Sequence, residues 1–103
     1  MPLFGSPFQQ IVTTADDLVL TEPVDAVKVT AAKAITLPLA RLCTLEQGNN
    51  VIRIVGSGGD ATVGPTSPDT LATADATTVI EDGNVGYAES DGLSQWYITG
   101  SKV

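Results

Sequence analysis

The chain has 103 residues, 12 of them Asp or Glu and only 5 Lys or Arg, and it contains one cysteine and no histidine. The net charge of −7 and the scattered basic residues argue against a nucleic-acid partner. The lack of histidine excludes Ser-His-Asp and Cys-His catalysis. A single cysteine cannot close an intramolecular disulfide, and aromatic residues make up only 5% of a short chain. We therefore expect a thin core that is stabilised by association into a homo-oligomer, most simply a homotrimer.

The first seven residues predict an extended N-terminal arm. They contain two prolines and a glycine together with the apolar residues Leu3 and Phe4, and they show no period that a helix or a central strand could use. We divide the chain into this arm, residues 1–7, and one β domain, residues 8–103.

Most of the remaining chain predicts short β-strands. Apolar and polar residues alternate with period two, and Gly, Pro, Asn or Asp interrupts each run within about ten residues. The predicted strands are 11–13, 18–20, 27–31, 35–38, 42–45, 51–55, 61–63, 77–80, 85–88 and 95–99. Residues 65–69 are too rich in proline to pair in a sheet. The fold class is all-β, a single small β-sandwich or β-barrel.

Helix is limited to two short candidates. Residues 39–42 follow a proline and could form one turn, and residues 72–76 are a weaker second candidate.

The last predicted strand contains the only tryptophan. Asp91-Gly92 favours a reversal that returns the chain as a hairpin, with Trp96 and Ile98 on one face of the strand and Tyr97 on the other. We interpret Trp96 and Ile98 as core or interface anchors.

No pattern of acidic residues predicts a catalytic or metal site. The pairs Asp16-Asp17 and Glu81-Asp82 lie in predicted turns, where Asp binds its own backbone. Asp60 and Asp69, like Asp82 and Asp91, are loop residues without the spacing of a calcium loop.

Two further motifs have structural interpretations. The glycine-rich segment 56–60 lacks the Gly-Lys-Ser/Thr end of a phosphate loop. Cys43 lies between Leu42 and Thr44 and is expected to be a small buried apolar residue. We predict no catalytic residues, metal or cofactor, and no enzymatic activity.

Four segments in order resemble a small β module of tailed-phage structural proteins. They are Ala34-Ile35-Thr36-Leu37-Pro38; Gly48 with Val51-Ile52-Arg53-Ile54; Gly58-Gly59-Asp60-Ala61-Thr62-Val63-Gly64-Pro65; and Ser90-Asp91-Gly92 with Trp96-Tyr97-Ile98. The resemblance covers about residues 8–103. The chain departs from the module at residues 65–71, where Asp69-Thr70-Leu71 keeps the "DtI" core of "gsDtIdG" but no glycine follows closely.

The resemblance implies a virion structural protein without catalytic residues. A separate acidic β domain with an apolar arm looks like a head decoration, or cement, protein whose clusters, usually trimers, bind the major capsid protein. The arm residues that we expect to bind the capsid are Pro2, Leu3, Phe4, Pro7 and Phe8. Two alternatives stay open: a tail-tip, tail-fibre or adaptor subunit of a phage, and a carbohydrate-binding adhesion domain in which exposed Trp96 and Tyr97 stack on sugar.

The expected location is the capsid surface of the virion. The N-terminus lacks the basic and apolar regions of a signal peptide, and no apolar run reaches the length of a membrane span. We therefore expect assembly in the host cytoplasm, with no membrane or nucleic-acid partner.

Overall fold

The computed structural model describes residues 11–73 and 75–100, which form two β-sheets. The larger sheet has the strand order β1-β3-β5-β9-β10-β7, and the smaller has the order β2-β4-β6-β8. Within the described ranges the only helical element is one 3-10 turn, Ala40–Leu42. The predicted all-β fold is confirmed. The strands are β1 (Ile11–Thr14), β2 (Leu18–Val19), β3 (Ala26–Val29), β4 (Lys33–Thr36), β5 (Val51–Gly56), β6 (Ala61–Gly64), β7 (Thr70–Leu71), β8 (Thr78–Ile80), β9 (Val85–Ser90) and β10 (Gln95–Gly100).

The first six strands form a stack of three coils. Odd-numbered strands lie in the larger sheet and even-numbered strands in the smaller, and neighbours within each of these two sets are parallel. Each coil therefore contributes one strand to each sheet and stacks on the coil before it. The alternation of short apolar runs with turns suits this path, because each strand is only two to six residues long before the chain crosses to the other sheet.

A long insertion separates the second coil from the third. Ile11 pairs with Ala26, 15 residues further along the chain, whereas Ala26 pairs with Arg53, 27 residues further. The additional residues lie between β4 and β5 and include the 3-10 turn. This insertion brings a stretch of irregular backbone against the end of the closing hairpin.

Antiparallel strands complete both sheets. Strand β9 pairs with β5 and with β10, and β8 pairs with β6. Trp96 lies opposite Ser90, so the predicted hairpin around Asp91-Gly92 is confirmed. Strand β10 is not the sheet edge, because the two residues of β7 pair with it on its other side.

The core lies between the two sheets. Ile52 and Ile54 of β5 are fully buried while Arg53 between them is exposed, as the period-two pattern predicts. Each buried aliphatic side chain of this kind contributes roughly 1.5–3 kcal/mol. The buried apolar residues form one cluster, Leu20, Val24, Val27, Val29, Ile35, Leu37, Ala40, Cys43, Ile52, Ile54, Ala61, Val63, Leu71, Ile80, Ala88 and Trp96.

The predicted strand over residues 42–45 is wrong. The backbone N–H groups of Leu42 and Cys43 donate to the carbonyls of Leu39 and Ala40, so the chain forms the alternative 3-10 turn and then further turns. The predicted helical turn over 39–42 is thereby confirmed in 3-10 form.

Residues 72–76 do not form the second predicted helix: the described residues of this range are turn, bend or irregular. The preceding pair, Thr70 and Leu71, forms the unpredicted strand β7. The N–H groups of Thr70 and Ala72 donate to the carbonyls of Ser94 and Trp96, so pairing with the closing strand determines the local structure.

The described residues include no helix that is long and apolar enough to cross a membrane.

The glycine-rich segment 56–60 is a stacking point between coils. A Cβ atom on Gly59 would lie 2.2 Å from the backbone nitrogen of Ala32, and one on Gly58 would lie 2.6 Å from the carbonyl oxygen of Thr30. The third coil can therefore lie directly on the turn of the second only because these residues lack side chains.

We predict that Gly59→Ala destabilises the domain more than Gly83→Ala does. Gly83 has a φ of 87°, which costs about 1–2 kcal/mol for alanine, but its Cβ would meet nothing within 4 Å. At Gly59 the obstacle is backbone, so the coils must separate, at a cost of about 3 kcal/mol. Urea unfolding measures both variants, and equal losses would contradict the stacking role.

Candidate functional site

The first and last segments of the phage-module pattern meet at the backbone of residues 38–40. The indole N–H of Trp96 donates to the carbonyl oxygen of Pro38 at 3.2 Å, and the indole is fully buried. The "ITLP" segment and the closing "WYI" strand, 58 residues apart in the chain, are therefore in direct contact.

Two more buried side chains bind Ala40, two residues further along. The backbone N–H of Ala40 donates to Oδ2 of Asp69 at 2.7 Å, and the hydroxyl of Ser90 donates to the carbonyl oxygen of Ala40 at 2.7 Å. The Ser90 oxygen also accepts the N–H of Gly92 at 2.9 Å. Asp69 belongs to the "DtI" core and Ser90 to the "sDG" element, so these motif residues have structural roles.

Trp96 is a core residue. None of its surface is exposed, and Ile98, on the same face of β10, is half-buried against the core. Tyr97 is exposed, which confirms the predicted division of the strand into two faces. The expectation that Trp96 stacks on a sugar ring is wrong, because its ring is enclosed between the sheets.

Asp91 organises the hairpin turn. Its Oδ1 accepts the backbone N–H groups of Leu93, Ser94 and Gln95 at 2.8, 3.0 and 3.1 Å. Partial burial acts to raise the pKa of this carboxyl, but hydrogen bonds from Gln95, Leu93 and Ser94 outweigh it and lower the pKa below its usual value. Ionised Asp91 therefore stabilises the turn above the ordinary Asp pKa, and this contribution is lost as the pH falls through the lowered one.

The acidic turn residues bind backbone groups of neighbouring coils. Oδ1 of Asp17 accepts the N–H of Ala34 at 2.9 Å, which links the first coil to the second. Oδ1 of Asp82 accepts the N–H of Gly58 at 2.8 Å, and Oδ1 of Asp60 accepts the N–H of Asp82 at 2.9 Å. These contacts assign Asp17, Asp60 and Asp82 to the stacking of turns.

The same turns gather negative charge along one side of the coil stack. We call this surface the acidic ridge and define it by five residues, Asp16, Asp17, Asp60, Glu81 and Asp82. Across residues 11–73 and 75–100, no group of three Asp, Glu or Cys side chains is arranged to hold a metal ion.

Cys43 is buried in the core. Burial and, secondarily, the negative charge of Asp69 raise the pKa of its thiol to about 11. A thiol that is buried and protonated at neutral pH is a poor nucleophile. The structural interpretation of this cysteine is confirmed.

The sequence alone did not identify the side of the larger sheet that faces away from the core; we call it the outer face. One row of paired residues crosses five strands: Ile11, Ala26, Arg53, Tyr87 and Thr99. Ala26 is buried within this row, whereas the other four residues are exposed. The rows beside it are Thr13, Lys28, Val55 and Val85 on one side, and Val51, Glu89 and Tyr97 on the other. The period-two pattern of the sequence predicts that Arg53 points away from Ile52 and Ile54. Only the pairing of β5 with β9 shows that it lies beside Tyr87.

The capsid-binding residues predicted in the arm, Pro2, Leu3, Phe4, Pro7 and Phe8, lie outside the described residues.

Comparisons with family models, curated protein sequences and solved structures gave no match to this chain.

We predict that Ser90→Ala lowers the free energy of unfolding by about 1–2 kcal/mol. The substitution removes the buried hydroxyl that donates to the Ala40 carbonyl, which keeps only the N–H of Cys43, and it deprives the N–H of Gly92 of its acceptor. Ser94→Ala is the matched control: it lies in the same hairpin, and its side chain is exposed. Chemical denaturation compares the two, and a Ser90→Ala protein as stable as the control would contradict the proposed importance of this contact.

We also predict that native Cys43 resists alkylation by iodoacetamide at pH 8 and reacts fully in denaturant. The raised pKa and the burial both suppress attack in the folded state. Mass spectrometry counts the label, and rapid modification of the native protein would show that the thiol is accessible.

Proposed function

We propose that this chain is a non-enzymatic structural protein of a tailed-phage virion that decorates the head shell as a homo-oligomer. The observation that carries the proposal is the contact between the first and last segments of the module pattern at residues 38–40. Trp96 and Ser90 of the closing segment and Asp69 of the "DtI" core make three buried hydrogen bonds to the backbone of Pro38 and Ala40. Segments that resembled the module only by chance would not be expected to meet in buried hydrogen bonds. These contacts therefore support the resemblance to phage structural modules.

The hydrogen bonds of the turn aspartates support a structural, non-enzymatic role. Asp17, Asp60, Asp82 and Asp91 hold backbone N–H groups, so these carboxylates already have structural tasks. Of the exposed apolar residues, Ile11, Val51, Tyr87 and Tyr97 share the outer face of the larger sheet, whereas Val19, Leu42, Leu45, Val79 and Leu93 are scattered over other elements. Apolar residues gathered on one face are typical of surfaces that bind partners.

The arm is the proposed contact with the major capsid protein. Residues 1–7 precede β1, which is an edge strand of the larger sheet, and Leu3 and Phe4 offer apolar area. Seven extended residues reach at most about 25 Å. Ordering them costs roughly 1–2 kcal/mol per residue, so binding requires burial of both side chains and several arms acting together in one oligomer.

Deletion of residues 1–7 should weaken retention on phage heads at least tenfold without changing the fold or the oligomer size. The deletion removes the apolar contacts but no residue of the described core. Co-sedimentation of the protein with undecorated heads of the phage that encodes it measures retention, and circular dichroism and analytical ultracentrifugation verify fold and size.

Leu3→Ala/Phe4→Ala tests the same contact without shortening the chain, and Ser6→Ala is its control within the arm. Loss of retention with the double variant but not with Ser6→Ala is the expected result. Undiminished retention of both the deletion and the double variant would contradict the role of the arm. Binding of the wild-type protein to isolated tails instead of heads would contradict decoration and favour the tail-subunit alternative.

A further inference from the structure

We propose that copies of this chain associate head to tail, with the outer face of one copy lying on the acidic ridge of the next. This inference rests on the homo-oligomer of the proposed function and names the two surfaces that form it.

The outer face is the cationic side of an acidic protein. The charged residues within the strands of the larger sheet are Lys28, Arg53 and Glu89, and all three are exposed. These strands therefore carry a net positive charge in a chain whose formal charge is −7. The other eleven Asp and Glu residues all lie outside these strands.

The same face has the apolar area that an interface needs. Ile11, Val51, Tyr87 and Tyr97 are 50%, 41%, 46% and 49% exposed. Tyr97 lies opposite Glu89, two residues along β9 from Tyr87, so the two aromatic side chains are diagonal neighbours within reach of each other. Five strands at about 4.8 Å spacing make a surface roughly 20 Å wide. Tyrosine and arginine together are characteristic of the central part of protein interfaces.

The acidic ridge supplies the complementary charge. Its five carboxylates belong to turns that hydrogen bonds fix against one another: Asp17 binds the N–H of Ala34, the N–H of Lys33 binds the carbonyl of Asp60, and Asp82 binds the N–H of Gly58. The ridge is thus a rigid, ordered set of negative charges. Apposition of the ridge to Lys28 and Arg53 of a second copy relieves the repulsion that a net charge of −7 otherwise imposes between copies.

The positions of the two surfaces favour a small closed ring. The outer face points perpendicular to the larger sheet, whereas the ridge includes the turns that follow β1 and β5, at the ends of those strands. The two surfaces are therefore inclined to each other instead of opposite. A head-to-tail contact between inclined surfaces rotates each copy relative to the one before, and it forms a closed ring when the rotations bring the last copy back onto the first; opposite surfaces build a filament. Two outer faces meeting each other would instead bring four cationic side chains into one interface.

Sedimentation velocity of the purified full-length protein at tens of micromolar and low ionic strength tests the contact. We expect a trimer for the wild type and an at least tenfold weaker association for Arg53→Glu. Arg41→Glu is the matched control: Arg41 is an exposed arginine outside both surfaces, and its reversal changes the net charge equally. Circular dichroism verifies that each variant is folded. A monomeric wild type, or equal effects of the two reversals, would overturn the inference.

Exchange of charge between the outer face and the acidic ridge is a second test of the contact. Lys28→Glu/Arg53→Glu should dissociate the oligomer, and the further substitutions Asp16→Lys and Glu81→Lys in the same chain should restore it. Asp16 and Glu81 are chosen because Asp17, Asp60 and Asp82 bind backbone groups through their carboxylates. Failure of the fourfold variant to reassemble, although it is folded, would overturn the pairing of these two surfaces.

These measurements use the protein in solution, so they separate this inference from the proposed function. A monomer that still binds phage heads through Arg53 would assign the outer face to the shell and overturn only the contact between copies. A trimer that dissociates on Arg53→Glu but does not bind heads would support the contact and contradict decoration.

Discussion

The buried hydrogen bonds at residues 38–40 are the constraint on which the closed form of this domain depends. The long insertion between the second and third coils begins as buried irregular backbone, and its polar groups there must find partners away from water. Trp96, Asp69 and Ser90 supply such partners from the C-terminal part of the chain. An unsatisfied buried polar group costs about 1–3 kcal/mol, so these contacts determine where β10 and the proline-rich loop come to lie.

The stacking of the coils depends on close contact between their turns. Parallel strands in successive coils require turns that lie directly above one another, and the turns here are built from small residues and aspartates. Gly59 lets backbone contact backbone, while Asp17 and Asp82 bridge from one turn to the next. The same aspartates that stabilise the stack also concentrate negative charge along one of its sides, so the charge asymmetry of the surface is a consequence of how the coils are joined.

The sequence predicts the local features of this fold well, because they depend on neighbouring residues. The alternation around Arg53, the two faces of the Trp96 strand and the Asp91-Gly92 reversal are each decided within a few positions. Parallel pairing is different: Ile11 lies beside Ala26 and Ala26 beside Arg53 through contacts that no local period encodes. The segment around Cys43 alternates like a strand, but 3-10 hydrogen bonds and the distant partners Asp69 and Ser90 fix its backbone differently.

Of the candidate site, the sequence predicts the buried cysteine and the anchor Trp96, and both are confirmed; the apolar arm that composition predicts lies outside the described residues. The outer face could not be predicted, since Lys28, Arg53 and Tyr87 become neighbours only through the order of the strands. We propose that this domain binds the outside of a phage head in clusters, and electron cryo-microscopy of undecorated heads incubated with the protein is the direct test. We expect repeated densities, each about the size of three domains, on the outer surface of the shell. Bare heads, or density confined to the tail, would contradict it.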